Sequence, residues 1–106
     1  MRNIHWLKDA ENELVAIVDY VLRNHGEKVA LQVYDDIISR VDLLLEFPEA
    51  GTLYIEHKFK NKSLRVLHSK HTRIFYYFQD SNIVVVLLWN NKMNEKNIEK
   101  ILSNRE

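Results

Sequence analysis

Three apolar runs follow one another with only short polar breaks, and they constrain the fold more than any other feature of the chain. They cover residues 63–68, 72–78 and 83–89 and are rich in β-branched and aromatic side chains, which favour strands. The breaks are too short for crossover connections, so neighbouring strands must pair antiparallel. The last run is apolar throughout, which predicts burial on both faces. The sequence therefore predicts an antiparallel meander.

Two amphipathic helices are predicted upstream of the meander. Apolar residues recur at three- and four-residue steps over 10–22 and again over 30–45, the spacing of one helix face. Asp9 is the predicted N-cap of the first helix, and Gly26 supplies the left-handed residue that ends it. Pro48 ends the second helix because it disfavours helical geometry at the preceding residue. With so short a connection, the two helices fold back as an αα-hairpin.

Shorter elements complete the predicted fold. A strand is expected over 3–7, and the polar run 56–61 is either a short strand or a mobile loop. Asn94 is positioned to cap a last short helix, which docks through Ile98, Ile101 and Leu102. The predicted class is α+β: an N-terminal strand, a two-helix antiparallel hairpin, a three- to four-stranded antiparallel sheet and a short C-terminal helix.

Length and composition predict one domain over residues 1–106, with the charged and hydrophobic content of an ordinary globular protein. The chain has no cysteine, which excludes a disulfide scaffold and thiolate metal sites and fits a reducing cytoplasm. No window approaches the roughly 18 apolar residues of a membrane span, and no signal peptide is recognisable. We therefore expect a cytoplasmic protein with no membrane partner.

Charge is distributed unevenly although its sum is zero. Acidic residues outnumber basic ones over 8–47, whereas 57–73 contain no acidic residue. This division predicts acidic helices and a cationic side of the sheet that attracts anionic partners. The alternative is a solvated surface whose charge is unevenly distributed without any role in binding.

Recognisable cofactor chemistry is missing from the sequence. The two glycines, Gly26 and Gly51, are too few for a nucleotide-binding loop. The histidines contain no helical metal-binding pair, and His68 and His71 have no carboxylate beside them in sequence. We expect neither a cofactor nor a metal.

Two arginines are candidate binding residues. Arg65 and Arg73 lie on adjacent predicted strands, where outward-facing guanidinium groups can hold phosphate or carboxylate oxygens in bidentate fashion. The alternative is that each pairs with a helix carboxylate such as Glu46 or Glu49.

Three lysines form a second candidate. Lys58, Lys60 and Lys62 alternate along one side of a segment expected to be extended, so they can contact successive phosphates of a nucleic acid. They can equally protect an exposed sheet edge against aggregation.

The order of these elements, together with particular residues, resembles the RelE/ParE superfamily of bacterial toxins from type II toxin–antitoxin modules. The resembling segments span most of the chain in the right order: 10–20, 47–51, 65–67, 72–77 and 89–94. The resemblance implies a growth-inhibiting toxin of a plasmid-stabilisation module, neutralised by a cognate antitoxin. It also implies that the antitoxin docks in an apolar groove between the sheet edge and the helices.

The ParE-like branch is the more similar one, through the Phe-Pro-x-x-Gly turn at 47–51 and the segment Asn90-Asn-Lys-Met-Asn94, where that branch has His-x-Arg-Met-Asp. It implies inhibition of DNA gyrase by binding, without established cleavage chemistry. The residues expected to contact the target or a nucleic acid are Lys58, Lys60, Lys62, Arg65, Arg73, Asn90 and Lys92.

The RelE-like alternative is a ribosome-dependent endoribonuclease acting on mRNA, with Arg73 and Lys92 as its catalytic residues. That reaction needs a base, an acid and cations for the developing charge. No tyrosine follows Tyr77 and no histidine follows His71, so the catalytic set is incomplete and a non-enzymatic toxin is favoured. A non-toxic descendant is a third alternative, and either a homodimer or a toxin–antitoxin hetero-oligomer is compatible with the sequence.

Overall fold

The computed structural model describes residues 2–90 and 95–106. It has the predicted α+β class, with a helical hairpin ahead of a sheet and a short helix after it. The elements in chain order are β1 (Asn3–Trp6), α1 (Lys8–His25), α2 (Glu27–Leu43), β2 (Thr52–Phe59), β3 (Lys62–His68), β4 (Thr72–Gln79), β5 (Asn82–Asn90), a 3-10 turn (Glu95–Asn97) and α3 (Ile98–Arg105).

The sheet has five strands in the order β1-β5-β4-β3-β2. The meander β3-β4-β5 is antiparallel as predicted, and β2 adds to it as an antiparallel edge strand. β1 pairs in parallel with β5, with Ile4 opposite Ile83. The four strands β2 to β5 confirm the expected three- to four-stranded antiparallel sheet. The expected N-terminal strand joins it as a fifth, parallel strand, a pairing that the sequence did not predict.

The helical hairpin is built as expected around Gly26, whose φ of 89° lies where glycine is favoured over other residues. The predicted N-cap was wrong: α1 begins at Lys8, so Asp9 lies inside the first turn and Leu7 is the cap, without a side-chain hydrogen bond. α2 ends at Leu43, ahead of Pro48, and the chain continues through turns to β2.

Two hydrophobic layers cover opposite faces of the sheet. On one face, Ala10 and Ile37 from the helical hairpin pack against Ile74, Tyr76 and strand neighbours. On the other, α3 contributes Ile98 and Leu102, fully buried among aromatic side chains, and Ile101 packs against them. β5 lies between the layers and is almost continuously buried, as predicted. The docking side predicted for α3 is confirmed, whereas its predicted cap, Asn94, lies outside the described residues.

The second layer changes the expected picture of an open cationic side of the sheet. α3 lies on the face opposite the helical hairpin, so part of the side expected to meet a partner is covered by the chain itself. No helix in the described residues is long and apolar enough to cross a membrane.

Candidate interaction surfaces

An apolar groove, here the hairpin groove, runs between the outer sides of α1 and α2. It has a volume of about 300 Å³, and Val15 in its wall is 67% exposed. The lining residues are Leu14, Val15, Val18, Asp19, Leu22 and Tyr34. The family resemblance implied a groove between the helices and the sheet edge. The hairpin groove lies instead within the helical hairpin, because both helices carry apolar residues on more than the face that meets the sheet.

The predicted row of lysines does not form, because a tight turn interrupts it. Lys60 and Asn61 both have positive φ, 49° and 65°, as a two-residue hairpin turn requires. Phe59 pairs with Lys62 across that turn and lies in the layer covered by α3, so Lys62 shares that face. Lys58 precedes Phe59 and points to the opposite face. The three cations surround a hairpin tip and do not follow one strand.

The lysines at this tip contact aromatic rings. The Lys60 Nζ atom lies 5.8 Å from the ring centroid of Phe59, and the Lys62 Nζ atom lies 5.8 Å from that of Tyr77. Both distances allow cation–π attraction. The backbone N–H of Lys60 donates to the carboxylate of Glu106, so the turn is held from the C-terminal side. The tip therefore carries three lysines, and its turn is held by the carboxylate of Glu106.

Arg65 does not present its guanidinium group outward as a fork. Its Nη1 atom donates to the carbonyl oxygen of Gly51 at 2.8 Å and to that of Glu49 at 3.3 Å. The group also lies 6.0 Å from the ring centroid of Phe78. The expected alternative, a pair with the Glu49 carboxylate, is replaced by a bond to the backbone of the same residue. Arg65 therefore holds the connection between α2 and β2.

Arg73 lies on the other face of the sheet. It pairs in register with Trp89, a member of the layer beneath α3, whereas Arg65 pairs with Tyr76 of the opposite layer. Residues directly opposite each other share a face, so the two arginines do not converge on one anion. The Arg73 guanidinium group forms an ion pair with Glu95, just before α3.

The last two candidates are Asn90 and Lys92. Asn90 is the final residue of β5 and pairs with Thr72, so it stands at the same end of the sheet as Arg73. Lys92 lies outside the described residues.

A cluster around Tyr76 was missed by sequence reasoning. The buried Tyr76 hydroxyl accepts a hydrogen bond from the Gly51 N–H at 2.9 Å and donates one to the Pro48 carbonyl oxygen at 2.7 Å. A Cβ atom on Gly51 would lie 2.7 Å from the Tyr76 ring, so only glycine fits there. The Phe-Pro-Glu-Ala-Gly segment at 47–51 indicated a turn, but the sequence does not indicate that Tyr76, on a distant strand, binds it.

Two tyrosines have raised pKa values. Burial is the main cause at Tyr76, where the Gly51 hydrogen bond and Arg65 act in the opposite direction. Burial also dominates at Tyr54, with the charge of Glu56 adding to it. Within residues 2–90 and 95–106, no group of histidine, aspartate and glutamate side chains is arranged to hold a metal ion.

Comparison with known proteins supports the resemblance seen in the sequence. The family model of the ParE toxin of the type II toxin–antitoxin system parDE matches residues 4–95. A solved structure of the chromosomal ParDE toxin–antitoxin system from P. aeruginosa superimposes with a TM-score of 0.67. The alignment has 19% identity and covers 85% of this chain and 96% of that chain, so it shows a shared fold. No curated protein gives a significant match.

Proposed function

Since this chain belongs to the ParE toxin family of type II toxin–antitoxin systems, we propose that it inhibits DNA gyrase by binding and is kept inactive by a cognate antitoxin. On this proposal the inhibition needs no bond cleavage by the toxin, and the protein acts in the cytoplasm, where gyrase works.

The hairpin groove is the observation that supports an antitoxin partner. Val15, Leu22 and Tyr34 expose apolar surface on neighbouring helices, and an amphipathic helix buries its own apolar stripe against such a surface. Exposed apolar side chains grouped in one groove are typical of a protein-binding surface. The antitoxin helix would therefore lie along the groove, with its polar side outward.

A co-purification experiment tests the antitoxin proposal. The partner is the small protein encoded by the neighbouring reading frame, co-expressed with the tagged toxin. We expect a stable complex, weakened about thirtyfold or more by Val15→Glu, because a charge would be buried at the centre of the interface. Ile55→Glu is the matched control, since Ile55 is 86% exposed and lies outside the groove. Equal affinity of both variants would refute the groove assignment.

The cationic hairpin tip supports contact with the gyrase–DNA complex. Lys58 and Lys60 are exposed there, and exposed cations at the edge of an interface raise affinity and association rate for an anionic partner. Arg73 and Asn90, at the other end of the sheet, are proposed as further contacts, and so is Lys92, which lies outside the described residues. In this proposal Arg65 contributes indirectly, through the backbone that it holds.

A supercoiling assay with purified protein tests this target. We expect excess toxin to block supercoiling, and the double variant Lys58→Ala, Lys60→Ala to need about three- to tenfold more protein. Lys28→Ala, on an exposed position of α2, is the control. Unchanged supercoiling at excess toxin rejects gyrase as the target. Cleavage of mRNA in a translation extract, abolished by Arg73→Ala, would instead establish the endoribonuclease alternative.

A further inference from the structure

We propose that a second surface, the acidic groove beside the connection from α2 to β2, binds a short protein segment in which lysine or arginine stands next to an apolar residue. The groove is open, has a volume of about 750 Å³, and is lined chiefly by Leu43, Glu46, Phe47, Pro48 and Glu49. It shares no lining residue with the hairpin groove. The proposal does not depend on the toxin's target or on its antitoxin.

Apolar side chains form the first half of the recognition surface. Phe47 is 57% exposed and Leu43 is 40% exposed, and Pro48 also lines the groove. An exposed phenylalanine side chain does not contribute the favourable free energy that it would gain if its apolar surface were removed from water. Covering it with an apolar side chain of a partner recovers that free energy. This requires at least one aliphatic or aromatic residue in the bound segment.

Charged side chains form the second half of the recognition surface. Glu46 and Glu49 are both exposed beside Phe47. The cation among the lining residues is Arg2, and its Nη1 atom donates to the Leu45 carbonyl oxygen at 2.9 Å. The lining therefore carries two carboxylates and one guanidinium group, while Arg65 holds the backbone and is not part of the lining. This excess of negative charge makes a cationic side chain of the partner the complementary occupant.

The groove is also held rigid, which an ordinary connecting loop does not require. The Tyr76 hydroxyl binds Pro48 and Gly51, and the Arg65 guanidinium group binds the carbonyl oxygens of Glu49 and Gly51. These bonds fix the backbone over residues 48–51, which carries Glu49. The N–H groups of Glu46 and Phe47 donate to the Leu43 carbonyl oxygen, which holds the preceding turn. A surface ordered in advance loses less conformational entropy when a ligand binds. Tyr76 and Arg65 are therefore positioning residues for the groove.

Peptide titration followed by NMR tests the proposal with purified full-length protein. The probe is a blocked pentapeptide in which leucine alternates with arginine, and the control peptide has glutamate in place of arginine. We expect saturable amide shifts confined to residues 43–51 with the arginine peptide, weaker in high salt because exposed ion pairs are screened. The glutamate peptide should bind at least about fivefold more weakly.

Protein variants separate the two halves of the surface. Phe47→Ala and the double variant Glu46→Gln, Glu49→Gln should each weaken the arginine peptide about fivefold or more. Ile55→Ser removes an exposed apolar side chain elsewhere and should leave the affinity unchanged. Tyr76→Phe should weaken binding without removing a groove side chain, and its folded fraction is checked by circular dichroism.

Three results would overturn the proposal. They are no saturable shift with the arginine peptide, equal binding of the glutamate peptide, and shifts centred on the hairpin groove. Growth arrest and gyrase inhibition are measured in other assays, so failure here leaves the proposed function standing, and failure there leaves this groove standing.

Discussion

Tyr76 shows how one side chain can fix a turn that is distant in sequence. Its hydroxyl group satisfies both a donor and an acceptor of the connection between α2 and β2, while its ring packs in the layer under the helical hairpin. Removing the oxygen would leave the Gly51 N–H without its partner in a buried position. A buried unpaired donor costs more than the hydrogen bond itself contributed.

We therefore predict that Tyr76→Phe lowers the free energy of unfolding by about 2 kcal/mol. Urea denaturation followed by circular dichroism measures the loss. Tyr20→Phe is the control, because Tyr20 is exposed on α1 and should change stability by less than about 0.5 kcal/mol. Equal small effects of both substitutions would show that the hydrogen bonds of the Tyr76 hydroxyl group do not stabilise the fold.

The pKa of Tyr76 gives a second prediction at this scale. Burial raises that pKa above the ordinary value of 10.0, so above about pH 10 the unfolded chain releases the tyrosine proton while the folded chain retains it. The unfolded state then binds fewer protons, and stability must fall as pH rises further. The contribution is fully present below pH 10. Urea midpoints between pH 8 and pH 11 should fall less steeply in Tyr76→Phe, and parallel profiles would contradict the assignment.

At the scale of elements, two side chains pair with the backbone groups of β5 that lie beyond the end of β1. β1 pairs with β5 only as far as Val85. Beyond it, the Val86 carbonyl oxygen accepts from Arg105 Nη1 at 2.9 Å, and the Leu88 N–H donates to Glu13 at 3.1 Å. A side chain from α3 and one from α1 thus replace the missing strand, and they form an ion pair with each other.

The Glu13–Arg105 pair should contribute far more to stability than an exposed pair of the same chemistry. Arg105 is 13% exposed and binds both carboxylate oxygens of Glu13. Arg105→Gln should cost about 3 kcal/mol, because it leaves a partly buried carboxylate without its cation, and should speed amide hydrogen exchange in α3. Arg23→Gln breaks an ion pair whose arginine is 77% exposed and should cost less than about 0.5 kcal/mol. Similar losses in urea unfolding would refute the distinction.

At this scale, the sequence predicts structure that depends on neighbouring residues better than pairings between distant segments. Apolar residues recur at helical spacing in α1 and α2 and form short runs in the meander, so these elements were predictable from the sequence. β1 is four residues long, and nothing within it identifies β5 as its partner. The prediction of a lysine row failed for a different, local reason. Asn61 tolerates positive φ, but a turn without glycine between the lysines gave too weak a signal.

The candidate site was less predictable than the fold. Arg65 and Arg73 were identified as cations beside aromatics, but their faces depend on strand register, which pairs one with Tyr76 and the other with Trp89. Both grooves depend on residues from separate elements or on side chains that remain exposed after packing. A single sequence does not specify which apolar residues a fold leaves uncovered.

Over the whole molecule, apolar exposure and charge act together. Many large apolar side chains remain exposed, with Val15, Phe47 and Ile55 more than half exposed. The formal net charge is zero and the sequence pI is about 7.0, so repulsion between copies is smallest near neutral pH. A chain with this surface is suited to being covered by a partner.

We predict that the purified chain without a partner self-associates most strongly near pH 7. Sedimentation velocity should show larger species at pH 7 than at pH 9, where net negative charge separates the copies. Val15→Glu should reduce association at pH 7, because it places a charge among the exposed apolar side chains of the hairpin groove. A monomer at every pH and at high concentration would contradict this prediction.

The parallel pairing of β1 with β5 also bears on when the molecule becomes complete. The first strand has no place to bind until the last strand has emerged from the ribosome, since Asn3 pairs with Asn82. Contacts so distant in sequence form late in folding. A nascent chain therefore cannot assume its finished shape until β5 has been synthesised and has left the ribosome.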